Sequence, residues 1–186
     1  MLDDKRAVSL SPAPPATLGL GSKATSLEVL SQLLGFREAA LTSQVGSAMA
    51  AAAAAHQAGG GKEAAERAAN EVFEANLDIV ITMGWANVER YCLDNFRQVL
   101  SRVDLSLRPA LHLLATLFGI KCILKGSAFF LSSGALGASD LAALRLTLHE
   151  LYRSLSGNGG RLALRLCDGF GIPEPLITAP IAKVRT

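Results

Sequence analysis

From Lys62 to about Val103, apolar side chains recur at helical spacing for roughly 40 residues, a length few globular helices reach. Phe73, Leu77, Val80, Ile81, Gly84, Val88, Tyr91, Cys92 and Phe96 form one stripe. Glu63, Glu66, Arg67, Glu71 and Glu74 make the polar face of its first half. A stripe this long needs a partner of matching length to bury it. The stretch from about 25 to 58 offers one, with Leu27, Leu30, Leu34, Leu41, Val45 and Met49 at the same spacing. The two are expected to lie antiparallel. Thr25-Ser26-Leu27-Glu28 has the form of a capping box for the first helix, and Gly59-Gly60-Gly61 ends it.

A third helix is expected over about 107–131, because Pro109 suits a first turn where no amide proton is needed. It is apolar almost all round, as a helix buried on several sides would be. Ser132–Gly137 reads as a turn. Ser139 is the expected cap of a fourth helix carrying Leu141, Leu144, Leu148, Leu151, Tyr152 and Leu155. Gly157-Asn158-Gly159-Gly160 should break or loosen it before Arg161–Phe170 resumes the period. Half of the chain is apolar but only 5% is aromatic, with Ala and Leu carrying the hydrophobicity, so strand formers are thin. The fold class is therefore all-α, an up-and-down bundle of about four long helices. The bundle domain is expected over 25–170, between a Pro/Gly-containing lead-in (1–24) and an extended tail (171–186) bearing Pro173, Pro175 and Pro180.

Several functions are excluded by composition. A net charge of +2 without a Lys/Arg run gives no support to a nucleic-acid partner. The most hydrophobic stretch, Ala110–Leu131, is broken by Lys121 and Lys125, which favours a buried helix over a membrane span. The charged start, Met1–Arg6, is not a secretory signal. Cys92, Cys122 and Cys167 have neither CxxC nor metal spacing and read as structural core thiols of a reduced compartment. His56, His112 and His149 are isolated, so no metal site is expected. None of the glycine clusters sits between a strand and a helix, as a nucleotide loop requires. Glu89, beside the apolar stripe, is a possible general base but is better read as an ion-pair partner of a neighbouring helix. Trp85 is a core or interface anchor.

Four segments together resemble the acyl-CoA oxidase family. Leu166-Cys167-Asp168-Gly169-Phe170 with Pro173-Glu174 and Ala179-Pro180-Ile181 is similar to its closing segment. Ala86-Asn87-Val88-Glu89-Arg90 resembles an "Ala-His-Val-Glu-Arg" helix, and Leu27–Leu41, with Phe36-Arg37-Glu38, resembles the helix before it. Leu114–Leu141 matches the layout of the segment preceding the last helix. The pieces stand in the family's order over about residues 25–182. Asn87 stands where the family commonly has His, the Gly157–Gly160 cluster interrupts a helix normally continuous, and Val184-Arg185-Thr186 is not a Ser-Lys-Leu type address.

The resemblance implies an acyl-CoA dehydrogenase/oxidase C-terminal-like bundle. Acyl-CoA oxidases use FAD to convert acyl-CoA to trans-2-enoyl-CoA, passing electrons to dioxygen to give hydrogen peroxide. They are usually peroxisomal dimers in eukaryotes. Their catalytic glutamate lies in a "Tyr-Glu-Gly-Asp" type motif of an earlier helical domain. That motif does not occur here, so no catalytic residue carries over, and Glu89 matches a helix position of the last domain instead. The chain is thus expected to supply packing and a dimer interface to the remainder of an oxidase or a second subunit, binding no FAD alone. The alternative is a detached oxidase-like domain serving as a non-catalytic subunit or docking module. Residence would be peroxisomal by family, otherwise cytoplasmic.

Overall fold

The computed structural model describes residues 24–57 and 62–172. The lead-in before Ala24, the Gly59-Gly60-Gly61 terminator and the tail from Pro173 lie outside the described residues. Within them the chain forms six helices and no strand: α1 (Leu27–Gln57), α2 (Lys62–Ala75), α3 (Leu77–Arg102), α4 (Arg108–Lys125), α5 (Ser127–Ser132) and α6 (Ala138–Asp168). The all-α expectation holds.

Contacts fix the direction of each element. Glu28, Ser31, Arg37 and Glu38 of α1 meet Arg97, Asp94, Glu89 and Arg90 of α3, so the two run antiparallel. Helix α4 lies across both, with Lys125 at Glu89 and Leu111 near Leu100. Gly119 permits this approach: an added Cβ there would stand 3.0 Å from Leu30 and 3.3 Å from Leu93. After the short α5, helix α6 returns along α4. Leu30, Leu34, Leu93, Ile123, Phe130 and Leu144 meet in the resulting core. None of the described helices is long and apolar enough to cross a membrane.

Four local expectations need correction. Ser26, not Thr25, stands before α1, with its hydroxyl 3.5 Å from the Val29 amide, and Glu28 turns to Gln32 and Arg97 instead of closing a capping box. The long helix divides at Asn76, whose side-chain amide donates to the Val72 carbonyl (2.8 Å). The Val72 carbonyl accepts the Asn76 backbone amide as well (3.1 Å), and Asn76 itself leaves the helical region with φ of −114° and ψ of 18°. The third helix likewise stops at Lys125, and Gly126 leads into α5. At Gly126 an added Cβ would stand 3.0 Å from the Arg37 guanidinium, so the lack of a side chain leaves room for it. The cap of α6 is Gly137, whose amide donates to Asp140 (2.8 Å), rather than Ser139.

The glycine cluster loosens α6 without ending it. The helix runs to Asp168, but Gly159 and Gly160 take φ of 69° and 74°, a left-handed conformation that side chains resist. Only the first half of α6 is buried, through Leu141 and Leu144, with Leu148 and Leu151 packed behind them. Beyond Leu151 most residues face solvent.

The largest departure concerns the stripe of the second helix. Phe73, Leu77, Ile81, Val88 and Tyr91 are exposed, and Trp85 is 55% exposed. Helix α3 instead buries Ala86, Glu89, Leu93 and Leu100 against its neighbours. These two stripes sit side by side on one helix, and the narrower one, containing a glutamate, is the one α1 covers.

Candidate functional site

The polar residues that carried the family resemblance meet between α1 and α3. Arg37 donates to Glu89 (2.8 Å), and Arg90 donates to Glu38, so Arg37-Glu38 and Glu89-Arg90 pair reciprocally across the helices. The ladder continues outward: Arg90 to Asp94 (3.0 Å), Ser31 to Asp94 (2.6 Å), and Arg97 to Ser31 (3.2 Å) and Glu28. The hydrogen bond that Arg90 donates to Glu38 does most to raise the Arg90 pKa above its ordinary value, and burial opposes it. Asn87, where the family commonly has His, donates to the same Glu38 carboxylate. The departure is absorbed into the ladder.

Glu89 is the hub. It is 6% exposed and Arg37 4%, while Lys125 from α4 donates to its other oxygen (3.1 Å). Both carboxylate oxygens therefore hold cations from two different helices. The same carboxylate also forms part of the wall of an apolar groove between α3 and α4. Glu89 is placed as a clamp, since buried carboxylates persist when paired and hydrogen-bonded. The ion-pair reading of Glu89 is the one the geometry supports.

On the outer side of this clamp runs an apolar trough between α3 and α4. Its upper part is a groove of about 720 Å³ lined by Trp85, Val88, Leu117 and Phe118, with Glu89, Lys121 and Lys125 as the charged groups in its wall. A second pocket of about 280 Å³ shares Cys92 and Phe96 with it and extends to Val99 and Leu111. From Trp85 to Val99 the trough spans about 21 Å at 1.5 Å per residue. Trp85 stands at its rim with the Lys125 ammonium 5.0 Å from its ring centre, so it is not a core residue. Cation–π contact at an exposed site contributes about 0.5–1 kcal/mol, enough to orient the indole along the rim.

The remaining sequence candidates scatter. Among the described residues no three His, Cys, Asp or Glu gather where a metal could bind. His112 and His149 are exposed on α4 and α6, and the side chain of His56 falls outside what is described. The thiols separate by environment: Cys122 is buried, Cys92 half-buried and Cys167 exposed. Cys167 thus corrects the expectation of three core thiols, because the half of α6 that carries it has no neighbour to bury it. Burial, with the nearby Glu89 carboxylate second, pushes the Cys122 thiol from its ordinary 9.0 to about 12. Iodoacetamide at about pH 8, where only thiolates react well, is expected to label Cys167 first and Cys122 last, as mass spectrometry of the folded chain would read. Stability should also fall between pH 9.0 and about 12, where the unfolded thiol ionises and the folded one does not.

A family model described as acyl-CoA oxidase matches residues 30–184. The chain belongs to the acyl-CoA oxidase family. No curated protein and no solved structure gives a significant match. Membership gives a second meaning to the ladder: the charged motifs of this region of the family are interlocking structural pairs here. The family generally uses FAD, yet the trough is a poor fit for that cofactor. A pyrophosphate calls for helix N-terminal amides or several cations. The trough lends it Lys121 and Lys125, and Lys125 already serves Glu89. No chemical step is therefore assigned to flavin held by these residues.

Sequence reasoning placed Glu89 in an ion pair but did not foresee the trough. The signal was present as the run Trp85, Val88, Cys92, Phe96, Val99 at spacings of three and four, beside Leu114, Leu117 and Phe118.

Proposed function

We propose that this chain is the C-terminal helical portion of an FAD-dependent acyl-CoA oxidase and supplies packing and subunit contacts rather than catalytic groups. The whole enzyme would convert acyl-CoA and dioxygen to trans-2-enoyl-CoA and hydrogen peroxide, as the first step of peroxisomal fatty-acid β-oxidation. The observation that carries the reading is the contrast between the two sides of α3. Its charged side is fully engaged in the clamp, while its apolar side is left open as a trough.

An open apolar trough of this length suits one amphipathic or apolar helix laid along it. We assign it to a helix of the oxidase remainder, with Trp85 and Phe118 as anchors of the kind that dominate such contacts. Residence in the peroxisome would then follow from the oxidase the chain is part of or joins. In the alternative reading the same trough serves a detached, non-catalytic subunit of another assembly.

Affinity capture of the chain from its own cells, with the captured proteins sequenced, separates these readings. Recovery of a flavin-containing acyl-CoA oxidase part, lost in a Trp85→Asp/Leu117→Asp variant of unchanged helicity, is expected. A captured assembly without any acyl-CoA oxidase part, or capture indifferent to the trough variant, would overturn the proposal.

A further inference from the structure

Helices α3 and α4 meet in rungs. Lys125 of α4 donates to Glu89 of α3 (3.1 Å), and Phe118 of α4 faces Phe96 of α3 with ring centres 6.2 Å apart. Between these rungs each helix advances by three residues and then four: Glu89, Cys92 and Phe96 run up α3 while Lys125, Cys122 and Phe118 run down α4. At 1.5 Å per residue each cysteine stands about 4.5 Å from the first rung and about 6 Å from the second, on the face its helix turns to the other. Cys92 and Cys122 are therefore opposite each other. Both thiols line the same groove. Behind burial and Glu89, Cys92 is also among the groups that raise the Cys122 pKa, so the sulfurs lie within electrostatic reach.

Helices packed about 8–10 Å apart, with Cα atoms about 2.3 Å from each axis, bring facing Cα atoms to about 4–6 Å. A disulfide spans about 4.4–6.8 Å between Cα atoms, so a rung of this kind is one that an S–S bond can close. Gly119 favours the close approach, since an added Cβ there would stand 3.3 Å from Leu93 of α3.

We infer that Cys92 and Cys122 form a peroxide-responsive dithiol, which closes reversibly to a disulfide between α3 and α4 and bars the trough. The bond stands on the geometry alone, while its regulatory meaning rests on the proposed docking role of the trough. Cys92 is half-buried and meets an oxidant in the trough, whereas Cys122 is buried and held as the thiol. The Cys92 sulfur attacks one oxygen of hydrogen peroxide. The O–O bond breaks, and the departing hydroxide takes the Cys92 proton as water, leaving a sulfenic acid. The Cys122 sulfur then attacks the Cys92 sulfur and displaces hydroxide, which carries off the Cys122 proton as a second water. Two thiols have given two electrons to the peroxide. The whole enzyme of the proposed function would release this oxidant itself. In a reducing compartment such a bond is transient, and a thiol reductant reopens it.

Cys92 and Phe96 line the lower pocket as well, so the bridge crosses the trough where its two parts join. A side chain of a docked helix can then no longer enter between α3 and α4 at that level. Oxidation is expected to release the helix that the trough holds.

Peptide mapping of the folded chain after hydrogen peroxide treatment reads the inference. Trypsin leaves the three thiols on separate peptides, Tyr91–Arg97, Cys122–Lys125 and Leu166–Lys183. Unreduced mass spectra should show the first two joined with loss of two hydrogens, and parted again by dithiothreitol. Cys167→Ser should leave that bond intact, and Cys122→Ser should leave Cys92 as a sulfenic acid that dimedone traps. Peroxide-treated chain should capture the oxidase part about fivefold less well, the loss expected when an anchor pocket is blocked. Dithiothreitol should restore capture, and capture by Cys122→Ser should not respond to peroxide. A bond to Cys167 in the folded chain, Cys92 driven to sulfinic acid without any bond, or a Cys92–Cys122 bond that leaves capture unchanged overturns the inference. Bond formation in a chain that captures no oxidase part in either state would count against the proposed function alone, since the bond needs no partner.

Discussion

Replacing Glu89 with alanine is expected to destabilise the chain by about 3–5 kcal/mol, the usual cost of removing one partner of a buried ion pair. The reason is what stays behind. Arg37 is 4% exposed, and its guanidinium lies against Gly126 where α4 ends. Lys125 loses a partner as well, but at 63% side-chain exposure it is readily hydrated. Glu89→Gln keeps the shape and one acceptor and should cost less. The double variant Arg37→Met/Glu89→Leu should cost less than Glu89→Ala, since no unpaired charge is left in the interior. Urea unfolding of the four proteins would show that order. A Glu89→Ala loss below that of Glu89→Gln would remove the clamp from the account.

The second large effect is expected at Phe130. This ring is fully buried where α5 turns the chain from α4 into α6, packed edge-on against Phe129 with ring centres 5.4 Å apart. The Phe130 carbonyl also accepts the Leu136 amide (3.2 Å), so the same residue holds the turn by its backbone. Phe130→Ala should cost about 3–5 kcal/mol through lost burial and the cavity it leaves. Phe130→Leu, which fills most of the space, should cost clearly less. Thermal unfolding would separate them, and hydrogen exchange should report the loosening first in α6, which has α4 as its main support.

Much of this arrangement was legible from residue spacing. The antiparallel pairing of α1 with α3 was expected from the similar length of the two segments, although the stripe that α1 covers is Ala86, Glu89 and Leu93 rather than the one expected. Pro109 marked the start of α4 correctly, because its missing amide proton is harmless only there. Other features depended on tertiary context. Trp85 and Val88 share a helix with Ala86 and Leu93, and a periodicity of 3.6 fits either face to a neighbour. Which face closes was decided by the ladder of Arg37, Glu38, Glu89 and Arg90, whose pairing depends on the register of two distant segments. At Asn76 the side-chain amide bonds the Val72 carbonyl, an option that spacing alone does not reveal. Gly126 looked like one more helix residue until the arginine that needs its space was placed beside it.

The resemblance to the oxidase family and the chemistry of the site meet at Glu89. The family motif drew attention to a carboxylate on an apolar helix, the setting in which a base is often found. Its surroundings give it a different task. Arg37 and Lys125 each donate to one of its oxygens, and the groove whose wall it shares is mostly apolar.

A chain that serves an oxidase without performing its chemistry should be inert in a single assay. Purified chain is mixed with FAD, acyl-CoA and dioxygen, and bound flavin and hydrogen peroxide are measured together. A colourless protein and no peroxide above the level of free flavin are expected. Stoichiometric FAD on the chain, or peroxide production that disappears in Glu89→Gln, would contradict it.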